Sequence, residues 1–337
     1  MITRSILLSV WITTLMFAAS EVSAQTVPPK SINQAINQSL PLLQKSLLEY
    51  PKHVSCFSCH HQGMGLFALN LAVKHGYSVD KSIVSGVADH AAKDLQSEVA
   101  LYQKGQGQPG GVTRAGYAML ALEGSNARQN DTISAVTNYL VQKDIDKGFW
   151  HSSSNRPPSE LSAFTDTFLA VRALKTFGEA SQKEKITSRI DKARIWLEQT
   201  PTKETEDIVF QIWGLKEAGA SAEVLQKAAT ALLAEQRADG GWSQLPTLES
   251  DAYATGSALT VLLLTGSARR DDPTVNRAVQ WLLKSQLTDG SWHVVSRSKP
   301  FQPYFESGFP HGKDQFISMA ASCWATTGLI LASRSGR

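Results

Sequence analysis

The stretches Ala231–Trp242, ALLAEQRADGGW, and Trp281–Trp292, WLLKSQLTDGSW, repeat one pattern. Each closes a helical run on a glutamine, makes an Asp-Gly turn and sets a tryptophan just after it. Asp favours such a turn through its own side chain, and Gly supplies the backbone freedom that the tight reversal needs. A small, apolar, helix-period segment follows each turn, Ala252–Leu264 in one copy and Ile317–Leu331 in the other. Helix, turn, tryptophan, helix is therefore the unit.

Weaker copies extend outward from these two. Tyr139–Trp150, YLVQKDIDKGFW, leads to Phe164–Leu174, and Ile195–Gln199 leads to Ile208–Leu215. Two N-terminal pairs complete the set: Ile32–Glu49 with Gly65–Lys74, and Val84–Tyr102 with Ala115–Leu122. Leu40, Leu43, Leu47 and Leu48 form one apolar stripe at helical spacing, while alternating strand patterns are scarce. Six pairs make twelve helices, and since one pair cannot bury its apolar face alone, neighbours must share a core. The pairs can close into a ring or stack as an open solenoid.

The Gln…Asp-Gly-x-Trp turns resemble the QW repeats of the squalene-hopene cyclase and protein prenyltransferase superfamily. Gln236–Trp242 and Gln286–Trp292 match best, supported by Arg277-Ala278 and Trp281-Leu282. The resemblance runs over residues 31–333 and is strongest in the last third. It implies an all-α fold, an α6/α6 toroid of six helix pairs whose inner helices line a cavity. The superfamily's chemistry does not follow with it. The DxDD motif of the cyclases is absent, and the pairs Glu206-Asp207 and Asp271-Asp272 have the wrong spacing. Where the prenyltransferases place Asp-x-Cys on zinc, Asp251-Ala252-Tyr253 offers a phenol in place of the thiolate.

Compartment is read from the first residues. Arg4, the apolar run Ile6–Ala19 and Val22-Ser23-Ala24 read as a signal peptide over 1–24, with an uncleaved anchor as the alternative. The mature chain is then expected to be periplasmic or secreted, and no later segment reads as a stable membrane span. A formal charge of +3, with basic residues scattered, gives no nucleic-acid footprint. Three cysteines are too few for a disulfide framework. Cys323 lies in an apolar helix and reads as core.

The other two cysteines stand in Val54–Gln62, VSCFSCHHQ. Cys56-Phe57-Ser58-Cys59-His60 has the spacing of a c-type haem site, two thioether-forming cysteines and His60 as iron ligand. Two other readings stay open. One is zinc or another metal on Cys56, Cys59, His60 and His61; the other is a Cys56–Cys59 disulfide or redox pair. In a closed ring the last pair adjoins the first, so the long connection His293–Lys313 should lie beside this site. His311 or His293 is its candidate for a second axial or metal ligand; solvated surface histidines are the alternative. Asp166, Asp207, Asp251 and Asp314 each begin an inner helix on the same rim. Asp251 and Asp314 are the candidates for catalysis, and helix capping is the competing role.

Three functions follow as expectations. One is a haem-bearing toroid, serving electron transfer with a redox partner protein or small redox chemistry on an apolar small molecule held in the barrel. Another is a cyclase- or transferase-like enzyme on an isoprenoid or lipid, with a structural metal or disulfide at CxxCH. The third is a non-catalytic toroid that binds a protein.

Overall fold

The computed structural model describes residues 30–125, 127–300 and 302–333, so the expected signal peptide at 1–24 lies outside the described residues. Thirteen α-helices are present among those described: α1 Ile32–Glu49, α2 Met64–Lys74, α3 Lys81–Ser97, α4 Val99–Gln103, α5 Gly111–Glu123, α6 Asp131–Gln142, α7 Ala163–Phe177, α8 Lys183–Gln199, α9 Thr205–Glu217, α10 Ala222–Ala234, α11 Ala252–Thr265, α12 Pro273–Ser285 and α13 Gln315–Ala332. The extra helix arises where the single helix expected over 84–102 breaks at Glu98 into α3 and α4. In the first stripe Leu40, Leu43 and Leu47 are buried, and Leu48 is half exposed.

The inner helices α2, α5, α7, α9, α11 and α13 each pack on the next, and α13 packs back on α2. The ring is closed, an α/α toroid and not a solenoid. Small residues let the inner helices approach closely: a Cβ on Gly256 of α11 would stand 2.5 Å from the backbone nitrogen of Ala325 in α13. Gly312–Ala332 is long and apolar enough to cross a membrane by composition, contrary to the expectation that no later segment is. Its apolarity has another use, since α13 is almost wholly buried among its inner neighbours.

The resemblance implies a central cavity, but the centre is filled. Phe67, Phe168, Phe210, Trp213 and Trp324 come from four inner helices and pack ring to ring, Phe168 on Trp213 at 4.2 Å and Trp324 against Trp213 at 6.0 Å. Bulky side chains at these positions occupy the space that small ones would leave open.

The QW turns hold the outer ring. The indole N–H of Trp150, Trp242 and Trp292 donates to the carbonyl ten residues upstream, Leu140, Leu232 and Leu282 respectively, at 2.7–2.9 Å. Each tryptophan's backbone N–H donates to a hydroxyl of the next inner helix: Thr167, Thr255 or Ser322. Gln236 Nε2 donates to Gly240 O and to Thr274 O at the start of α12. Gln286 Nε2 repeats this with Gly290 O and with Ala35 O of α1, so the closing joint uses the chemistry of an internal one. At Trp150 the glutamine's work passes to Arg189 of α8, which stacks over the indole and donates to Lys143 O and Lys147 O.

Candidate functional site at the toroid mouth

Every connection from an outer to an inner helix emerges on one rim, and the CxxCH segment lies in the first of them, between α1 and α2. Its backbone is tied down from the second pair. Phe57 N–H donates to Asp94 Oδ1 at 2.9 Å, and Ser58 N–H to Gln62 Oε1 at 2.9 Å. Gln62 Nε2 donates to His90 Nδ1, which leaves His90 Nε2–H to donate to Ser55 O at 2.8 Å. Asp94 is buried and also receives Gln108 Nε2 and the Arg114 guanidinium. Burial acts to raise the Asp94 pKa, but Arg114, with Phe57 N–H and Gln108, holds it below the ordinary carboxylate range. The segment then enters α2 through a π-turn, Cys59–Gly63.

Both cysteines are free thiols, Cys56 half-buried and Cys59 buried. Burial and the Glu160 carboxylate push the Cys59 thiol well above its usual value. His60 Nδ1–H donates to Glu160 Oε1 at 2.6 Å. Glu160 is buried and is also engaged by Arg156 and by Ser154 Oγ. Burial would raise its pKa; His60, Arg156 and Ser154 hold it below the usual range. A carboxylate on one ring nitrogen fixes the tautomer and aims the other, Nε2, at a ligand. Glu160 had no sequence signal, because it reaches His60 from the connection before α7.

His61 faces the other way. Ser46 Oγ donates to Ser307 O, so it accepts from His61 Nε2–H at 2.9 Å. Burial, with His60 beside it, lowers the His61 pKa to about 3, and its Nδ1 is buried without a partner. The long connection before α13 does lie over the first pair: Phe305 packs on Tyr50 and stacks on His53. The histidines of that connection lie elsewhere in it. His293 and His311 stack on each other at 4.7 Å, His293 Nε2 bonding Asp314 Oδ2 and His311 Nε2 bonding Ser291 Oγ.

The four rim aspartates do separate jobs. Asp251 Oδ1 caps α11 through Tyr253 N–H and Ala254 N–H, and Oδ2 accepts from Gln244. Asp314 Oδ1 accepts from Ser296 N–H, its other oxygen from His293. Asp207 accepts from Lys203 N–H and Ser162 Oγ. Asp166 accepts from Thr113 Oγ1 and Ser152 N–H, and burial raises its pKa to about 6. In this geometry Asp251 and Asp314 anchor connections, with both oxygens of each engaged.

The donors at 56–60 suit a thioether-linked haem: two free thiols, and a histidine whose Nδ1 is held by Glu160. Among the described residues no three His, Cys, Asp or Glu side chains are grouped to hold a metal ion, as a zinc site requires.

Residues 181–286, from just before α8 to the end of α12 and including the first clear QW turn, match the model of the squalene-hopene cyclase N-terminal domain. Among solved structures, a possible member of the GH105 family from Salmonella enterica is similar at 14% identity and a TM-score of 0.57, over 95% of this chain and 98% of that one. A possible GH105 member from Klebsiella pneumoniae gives 10% and 0.53, with 95% and 98% covered. The unsaturated glucuronyl hydrolase of Bacillus sp. GL1, responsible for glycosaminoglycan degradation, gives 13% and 0.55, with 90% and 97% covered. What this chain shares with the terpenoid cyclase-like and GH105 proteins is the α/α toroid.

Proposed function

We propose that this chain is an exported, periplasmic or secreted toroid that carries haem c on Cys56, Cys59 and His60 and serves electron transfer to a redox partner protein. The observation that carries this reading is the His60–Glu160 bond at 2.6 Å, which presents Nε2 as a ligand atom. Haem, when bound, supplies one-electron transfer. The two thiols would add across its vinyl groups to form thioethers, and His60 would hold the iron. Asp94, His90 and Gln62 keep the segment rigid, which limits rearrangement of the ligand set between oxidation states. The ungrouped donors weigh against zinc, and the free thiols against a disulfide. The His293–His311 pair, committed to Asp314 and Ser291, is not needed for ligation by His60. His311→Ala is expected to leave the haem absorption band in place.

A filled centre weighs against a substrate enclosed in the barrel, and so against a cyclase-like enzyme. It favours, as a second reading, a non-catalytic toroid that binds a protein. Haem staining of the denatured chain, produced where c-type haem is matured, tests the first reading beside a Cys59→Ala control. Stain that survives denaturation and vanishes in the control supports it. An unstained chain recovered in a stable protein complex supports the second.

A further inference from the structure

The mouth holds an acid that the haem reading does not use and that keeps one oxygen unpartnered. Glu206, in the first turn of α9, is 4% exposed. Its Oε1 accepts from Thr165 Oγ1 at 3.1 Å and Tyr253 OH at 3.3 Å, while Oε2 is buried with no partner. Burial, reinforced by the Asp207 and Glu204 carboxylates, pushes its pKa well above the ordinary range, which favours the neutral form. A neutral carboxylic acid offers one O–H donor beside its acceptor oxygens.

Glu206 lines a groove of about 350 Å³ between the connection before α7 and the α8–α9 joint. That volume is in the range of small-molecule sites. One side is apolar, built from Pro158, Leu161, Phe164, Trp196 and Pro201. Trp196 is braced by Phe149 at 4.8 Å and Phe164 at 4.7 Å. The other carboxylates of the groove are already engaged. Glu204 takes both nitrogens of Arg297 at 3.1 Å, and Asp207 accepts from Ser162 Oγ and the backbone of Lys203. Among the described residues lining the groove, Lys203 and His151 are the potential cations, and the nearby Arg297 guanidinium is already paired with Glu204. An anionic ligand therefore meets no built cationic site, whereas a hydroxyl meets a carboxyl group with one oxygen unpartnered.

We propose that this groove binds a neutral, hydroxyl-bearing small molecule whose head group hydrogen-bonds Glu206 and whose hydrocarbon flank lies on the Phe164–Trp196 wall. Two sources share that chemistry, a neutral sugar ring and a long-chain or isoprenoid alcohol. The site does not depend on haem.

The experiment is titration of the full exported protein with cellobiose, with farnesol and with free glucuronate, read by intrinsic tryptophan fluorescence and by calorimetry. Saturable binding of cellobiose or of farnesol is expected, and whichever binds names the source. Glu206→Gln keeps a donor and an acceptor and is expected to bind within about threefold of the parent. Glu206→Leu is expected to weaken binding tenfold or more. Because a buried substitution can unfold the chain, Leu161→Arg at the exposed rim is the second variant, also expected to weaken binding at least tenfold. The same affinity in Cys56→Ser protein separates this site from the CxxCH reading. No saturable binding of either neutral probe, preference for glucuronate, or unchanged affinity in Leu161→Arg would overturn the proposal.

Discussion

The QW side of the ring and the CxxCH side solve the same problem differently. At 236–242 and 286–292 an outer helix, a turn and an inner helix are joined by one set of bonds used twice, mostly within a dozen residues of sequence. Gly240 and Gly290 both sit near φ +90°, where a Cβ would collide with the next outer helix, at Arg277 O or Gln38 O. At 50–63 nothing repeats. That connection is held by Asp94 and His90 of α3, by Glu160 before α7, by Phe305 before α13 and, through Ser46 of α1, by Ser307 of the same stretch. Regular joints build the ring; the irregular joint gathers polar groups from three other pairs. Local repetition is what stability asks for, and convergence of distant groups is what a site asks for.

Substitutions can break this contrast. Trp242→Ala and Trp292→Ala should each destabilise by about 3–5 kcal/mol, since both remove a fully buried indole from a packed joint. Equal losses in denaturant titrations make the closing joint equivalent to the internal one; a much smaller loss at Trp292 would mean the ring closes weakly. Asp94→Asn should cost about 2–3 kcal/mol, because it weakens the pairing of a partly buried Arg114. It should also speed hydrogen exchange at Phe57 and Ser58 while leaving 236–242 protected, which tests whether the irregular joint stands apart.

Asp166 sharpens the comparison through pH. Its pKa is raised from 3.8 to about 6, so the folded state holds the proton more tightly than the unfolded one. This contribution to stability is present below pH 3.8 and is lost as pH rises through about 6. Asp166→Asn should therefore gain on the parent in melting temperature between those pH values, and no pH dependence of the difference would contradict it. The smallest expected effect lies at the closing joint. Gln236 Oε1 accepts from Arg277, whereas Gln286 Oε1 is buried without a partner. Gln38, which faces Gly290 as Arg277 faces Gly240, is the place to supply one. Gln38→Arg should stabilise by about 0.5–1 kcal/mol in the same titrations.

This contrast also explains what could be read from the sequence. The fold was legible because its bonds are local: Gln, Asp-Gly and Trp sit together in the chain, and so did the helix pairs they join. The copy at Trp150 reads weakly because Arg189 replaces the glutamine from the next outer helix, beyond the reach of a local motif. The CxxCH donors were legible as a short motif, but their supports, Glu160 and Asp94, come from 100 and 37 residues away in sequence. Glu206 was visible only as half of an acidic pair with the wrong spacing; its burial and its free oxygen emerge from packing against α7 and α11. The filled centre was equally hidden, since Phe168, Trp213 and Trp324 look like ordinary helix residues until the ring closes.

The central claim is covalent haem at Cys56, Cys59 and His60, and intact mass measured under denaturing conditions tests it most directly. Protein produced in a host with c-type haem maturation should carry the mass of one added haem, and Cys56→Ser/Cys59→Ser protein should lack it. The unmodified polypeptide mass, or a mass two hydrogens lower from a Cys56–Cys59 disulfide, would contradict the account.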